Sequence, residues 1–121
     1  MYVVNDVFDY ESDIRNPRKG GMEGAKEQKA FHPIILWSAV LVNIPFIAFI
    51  LATGTLLSNI VFIILTFFVL AYSAAGLRFK EIPVLDSITS SIHFVGPMVF
   101  ALTLTGLEAQ HIPYIVAFFL W

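Results

Sequence analysis

The sequence predicts an all-α, multi-span transmembrane helical bundle, and three observations carry that prediction. Hydrophobic residues make up 58% of the 121 residues and charged ones only 13%, against roughly 25% charged in a soluble domain. The mean hydropathy is +0.80. Two uncharged stretches, 33–53 and 56–76, follow one another across a short turn, and neither alternates the apolar and polar faces that a soluble bundle requires.

Each element follows from local chemistry. Residues 33–53, "PIILWSAVLVNIPFIAFILAT", are long enough to cross a hydrocarbon core of about 30 Å at about 1.5 Å per residue. Pro33 suits a first helical turn, and Pro45 predicts a kink in mid-span. Gly54 and Thr55 mark a tight turn into 56–76, so the two spans read as a helical hairpin. The charged loop "LRFKEIP" comes next. Residues 85–106 form a third, weaker span that carries Asp86, several Ser and Thr, and His93. A turn around Glu108 to His111 leads to a fourth apolar run from 112. Residues 1–9 read as the tail of an earlier helix. The chain opens four residues before an acidic motif and stops at Trp121 inside an apolar run, so a single partial domain over 1–121, cut from a longer protein, is expected.

Charge sets the topology. All seven Lys and Arg residues lie in loops 10–32 and 77–84: Arg15, Arg18, Lys19, Lys26, Lys29, Arg78 and Lys80. Two spans separate those loops, so both face one compartment, and the positive-inside rule makes it the cytoplasm. No basic surface suggests nucleic acid. The sequence has no cysteine, which excludes disulfides, thiolate metal sites and a cysteine nucleophile.

The acidic motif "NDVFDYESD" (5–13) lies on that same side. On a helix Asn5, Asp9 and Asp13 fall four and four apart, and Asp6, Asp9 and Asp13 three and four, so the four share a stripe. Carboxylates so placed repel one another unless a cation sits among them, and poor solvent screening at a membrane edge raises that cost. All-oxygen donors suit magnesium or calcium. An EF-hand does not fit: from Asp9 the sixth position is Ile14, not Gly, and the twelfth is Gly20, not Glu. Magnesium commonly shares its shell with phosphate oxygens, and Arg15, Arg18, Lys19, Arg78 and Lys80 suit a multiply charged anion. The plain alternative is a solvated loop of mixed charge.

The motif resembles the NDxxDxxxD pattern of the UbiA superfamily of intramembrane prenyltransferases, and "IRNPRKGG" extends the likeness. Two spans later "YSAAGLRFKEIP" (72–83) is similar to that family's tyrosine-plus-basic motif. The flanking residues look most like the lycopene elongases of carotenoid synthesis; a quinone-precursor prenyltransferase, or a small multi-span protein without catalysis, is the alternative. The resemblance implies Mg2+ held by Asn5, Asp6, Asp9 and Asp13, with Asp9 and Asp13 catalytic. It implies that Lys19, Arg78 and Lys80 bind the diphosphate of a prenyl donor, Arg78 in a bidentate manner. Tyr72 would stabilise an allylic cation with its ring face, and the acceptor would be lipophilic, lycopene by the flanking residues. The family carries a second aspartate motif, a further DxxxD after its sixth helix, which the residues up to Trp121 do not include, so inactivity of this piece alone is expected.

Three further readings stand beside these. Asp86 before "SITSSI" reads as a helix N-cap. His93 is either functional or a neutral histidine bonded to a neighbouring helix. Residues 23–29, "EGAKEQK", read as a short surface helix lidding the cytoplasmic mouth.

Overall fold

A computed structural model describes residues 2–20 and 28–121. The lid expected over 23–29 lies outside the described residues apart from Gln28 and Lys29. The described residues are helical and contain no strand.

The acidic stretch forms α1 (Tyr2–Phe8) and α2 (Tyr10–Asp13). These are nearly one helix. Asp9 N–H bonds Asn5 O at 2.8 Å and Asp13 N–H bonds Asp9 O at 2.9 Å, so the four-residue ladder runs through the join. Only Asp9 departs, at φ −94°, ψ 1°.

Helix α3 (His32–Thr53) starts from a 3-10 turn at Lys29–Phe31, carries Pro33 in its first turn and continues as one helix through Pro45. Helix α4 (Leu56–Ala71) is started by Thr55, whose Oγ1 accepts the Ser58 N–H at 3.1 Å. A side chain at Gly54 would bring its Cβ within 2.7 Å of Ile50 O, so the turn between α3 and α4 needs glycine. The expected span 56–76 therefore has a helix of 16 residues, about 24 Å long. Tyr72 to Arg78 turn back instead, with Gly76 at φ +90°.

A 3-10 turn at Phe79–Glu81 precedes α5 (Pro83–Thr105), and another at Ala109–His111 precedes α6 (Ile112–Leu120). Glu108 and His111 cap that last turn reciprocally, with Glu108 N–H donating to His111 Nδ1 at 3.1 Å. The sequential hairpin is not the main packing unit. α3 packs chiefly against α1, and α4 packs along α5. Gly96 makes the α4–α5 approach possible, since a Cβ there would lie 2.5 Å from Leu65 Cδ2. Phe62 and Phe100 close the same seam, with ring centroids 5.8 Å apart.

The polarity is inverted relative to a soluble protein. Among the described residues the buried hydrophobics are Ala71 and Val95, while Ser58, Ser73, Thr89 and Thr103 are buried and Trp37, Phe46 and Phe94 are exposed. Such a surface suits hydrocarbon, where an exposed phenylalanine needs no shielding. α3 and α5 are both long and apolar enough to cross a membrane.

Candidate functional site at the polar end of the spans

The site begins with the helical stripe. At about 100° per residue the order around the axis is Asn5, Asp9, Asp13, Asp6, across an arc of about 100°. Asn5 and Asp9 occupy one edge, Asp13 and Asp6 the other. The structure meets each edge with a different basic segment.

The first edge is met by the turn after α4. Asn5 Oδ1 accepts from the Ser73 hydroxyl and from Lys80 Nζ, the latter at 3.2 Å. Lys80 also pairs with Asp9 Oδ2. Arg78 Nη1 donates to Phe8 O at 3.3 Å, and Nη2 lies 3.4 Å from Asp9 Oδ1. Asp9 is deeply set, with 13% of its side chain exposed, so these partners replace most of its water. Such charge-assisted bonds are the strong ones. The turn gets there through an unusual backbone: Arg78 has φ 41° and ψ 52°, the only positive φ at a described non-glycine residue. That conformation costs roughly 1–2 kcal/mol. The guanidinium fork anticipated for diphosphate meets Glu81 here, through Nε and Nη2 at 2.6 Å.

The second edge is met by Lys19, from the loop just after α2. Its Nζ lies 2.9 Å from Asp6 Oδ1 and 2.9 Å from Asp13 Oδ2. The hydrogen bonds that Lys19 donates to Asp6 and then Asp13 hold the pKa of its ammonium well above the ordinary value of 10.5. The folded state therefore gains stability that is fully present below about pH 10.5 and is lost as pH rises through the raised value. Lys29 and Glu11 form a separate, exposed pair at 2.6 Å. Tyr10 packs edge-on against His32 nearby, centroids 4.9 Å apart.

The stripe thus brings a cation to every carboxylate: Asp6, Asp9 and Asp13 against Lys19, Arg78 and Lys80. Among the described residues no three acidic or histidine side chains converge on one point as a metal set. The reason is the arc, which divides the stripe between two ammonium groups. The donor chemistry still suits a hard divalent cation, being oxygen from one amide and three carboxylates. Lys80 Nζ stands between oxygens of Asn5 and Asp9, and Lys19 Nζ between oxygens of Asp6 and Asp13.

Tyr72 sits where the polar end meets the spans. Its hydroxyl lies beside the Asp86 carboxylate and the Ser90 hydroxyl, and Asp9 is within electrostatic reach. Its ring meets His93 edge-on, centroids 5.5 Å apart. Asp86 is therefore not an N-cap. It lies in the first turn of α5, whose capping position is Ile82 with no side-chain bond. Pro83 begins the helix instead. His93 packs on Tyr72, and its Nε2 has no hydrogen-bond partner among the described residues.

Sequence reasoning passed over Ser73 and Glu81. Ser73 had a usable signal, because it follows Tyr72 directly in the quoted motif. Glu81 had none beyond proximity.

A helical bundle with exposed apolar spans and a charge-compensated acidic stripe at one end defines a multi-span membrane protein with a polar site at the membrane boundary. The chain belongs to the UbiA prenyltransferase family, which it matches over residues 1–121. It is 48% identical, along its whole length, to a lycopene elongase/hydratase of Corynebacterium glutamicum, of which it covers 43%. It is 47% identical to the C(50) beta-cyclic carotenoids biosynthesis protein LbtBC of Dietzia sp. (strain CQ4), covering 28% of that protein. Identity is 35% over 93% of the chain with a lycopene elongase/hydratase of Halobacterium salinarum, covering 38% of it. The chain thus spans less than half the length of these relatives. No solved structure matches it.

Proposed function

We propose that this chain forms part of a magnesium-dependent prenyltransferase that moves a prenyl group from an allylic diphosphate to a lipophilic acceptor, with lycopene as the acceptor. The names of the relatives support the acceptor, and the family supports the reaction class. The observation that carries the reading is Lys80, which reaches Asn5 and Asp9 from 75 and 71 residues away. A basic turn laid on an acidic helix is what a metal–diphosphate group needs from a protein.

Asn5, Asp6, Asp9 and Asp13 would hold Mg2+, which when bound offsets the charge that develops on a departing diphosphate. Lys19, Lys80 and Arg78 donate hydrogen bonds to diphosphate oxygens, Arg78 by releasing Glu81. Preorganised donors of this kind stabilise the leaving group as the allylic C–O bond breaks. Tyr72 lies on the apolar side of these cations, where its ring face stabilises the allylic cation. The exposed apolar faces of α4 and α5 adjoin this point and suit the prenyl chain and acceptor, from which bulk water must be excluded. The positive-inside rule puts this mouth on the cytoplasmic side.

The test uses the complete protein in membranes, supplied with allylic diphosphate and acceptor, with products read by mass spectrometry. Asp9→Asn should reduce turnover at least about a hundredfold, in keeping with the loss of a charged group from such a site. Chelation of divalent ions should abolish turnover, and added Mg2+ should restore it. Normal turnover by Asp9→Asn would show that the acidic stripe has another role.

A further inference from the structure

The prenyl-transfer reading leaves one group of side chains unused. Asp86, Thr89, Ser90 and His93 lie on α5 within an arc of about 100°, on the side that meets Tyr72. Thr89 is fully buried, and two buried atoms of this face, Thr89 Oγ1 and His93 Nε2, have no hydrogen-bond partner among the described residues. A buried polar atom left unpaired costs about 1–3 kcal/mol, and polar groups inside a span are a functional signal by default. The face is also not engaged by the basic side chains, since Lys19, Lys80 and Arg78 pair with the acidic stripe.

The chemistry states what such a face is for. When the allylic C–O bond breaks, its electron pair leaves with the diphosphate. The π pair of an alkene acceptor then forms the new C–C bond, and the positive charge passes to the other alkene carbon. That second cation must be resolved. Either a water oxygen bonds to it and a proton goes to a base, giving an alcohol, or a base removes a proton from the neighbouring carbon and the C–H pair becomes a double bond. A hydrocarbon acceptor has nothing for Thr89, Ser90, Tyr72 or His93 to hydrogen-bond. Water does. The relatives' name, elongase/hydratase, joins chain extension to the addition of water.

We infer that this face of α5 ends the reaction: Thr89, Ser90 and the Tyr72–Asp86 pair seat a water molecule beside the acceptor, and His93 takes the proton that water releases. The inference rests on the prenyl-transfer reading above. His93 is the base because its ring nitrogen is the proton acceptor on this face farthest along α5 into the span, while Asp86 sits in the helix's first turn.

The experiment measures the ratio of alcohol to alkene within the prenylated product, which is independent of how much folded enzyme survives. The complete protein in membranes is compared with His93→Gln, which keeps a polar side chain but no base, and with Thr89→Val, which keeps the shape but removes the hydroxyl. His93→Gln should lower the ratio at least about fivefold, the modest end of what a general base contributes, and Thr89→Val should lower it in the same direction. Reaction in 18O-water should label the alcohol. An unchanged ratio in both variants, or a wild-type product free of alcohol, overturns the inference while leaving prenyl transfer intact. Absence of any prenylated product from the wild-type protein overturns both.

Discussion

Helices α3 and α5 have almost the same length, 22 and 23 residues, and both can cross a membrane, yet they do different work. α3 has no buried residue. Its polar side chains turn inward on its own backbone, as Asn43 does in donating to Ala39 O at 2.7 Å. α5 packs against α4, α6 and the turn at Phe79–Glu81, and carries Thr89, Val95, Gly96 and Thr103 buried. Its lower hydropathy, 1.4 against 2.5, is not a weakness of the span. It is the mark of a helix that faces protein. In a bilayer the uniform helix is the one that meets lipid, and the uneven helix is the one that holds a site.

The comparison can be broken most directly by placing a charge in α3. Phe46 is 65% exposed, so Phe46→Asp should oppose insertion of α3 by about 2.5–3.5 kcal/mol. A glycosylation-mapped insertion assay should show the inserted fraction of α3 fall sharply. Full insertion would mean that this face of α3 meets protein or water, not lipid.

A smaller effect separates the packed seam from the lipid face. Gly96→Val forces a side chain into Leu65 and should destabilise the protein by about 1–3 kcal/mol. Ala48→Val adds the same kind of bulk to an exposed position of α3 and should change stability by less than about 0.5 kcal/mol. Thermal unfolding in detergent reads both. Equal losses would erase the distinction between the two helices.

The smallest effect sharpens the polar end on which α5 converges. Lys19→Met removes the bridge between Asp6 and Asp13, worth about 1.5 kcal/mol as a charged hydrogen bond. Wild type and variant should differ in melting temperature below about pH 10.5, and the gap should close as pH rises further. A gap that persists at higher pH would assign the loss to packing of the lysine stem.

Much of the fold could be read from the chain alone, because the signals are local. The span near 33–53 follows from uninterrupted hydropathy and that near 85–106 from a weaker apolar run, and α3 and α5 lie close to those limits. The second span was read too long. Tyr72 to Gly76 are apolar enough to continue a helix, but the chain there leaves it to reach α1, and hydropathy does not register that need. Asp86 was misread for a similar reason: an aspartate before a Ser/Thr run has the local look of a cap, whereas Pro83 already starts the helix and the carboxylate lies beside Tyr72. The arc of the acidic stripe was legible from spacing. Its division between Lys19 and Lys80 was not.

Sequence by itself determined that the chain is a membrane-spanning helical protein with an acidic stripe at its charged end, because helical period and membrane thickness act on neighbouring residues. Only the tertiary structure decided which partners that stripe meets. The seating of Ser73, Arg78 and Lys80 on Asn5 and Asp9, and of Tyr72 between Asp86 and His93, depends on how α4 packs along α5 and where the intervening turn points. The contacts on Asn5 and Asp9 join residues some seventy positions apart, and those of Tyr72 reach across to a different helix, so no local preference of the backbone carries the information.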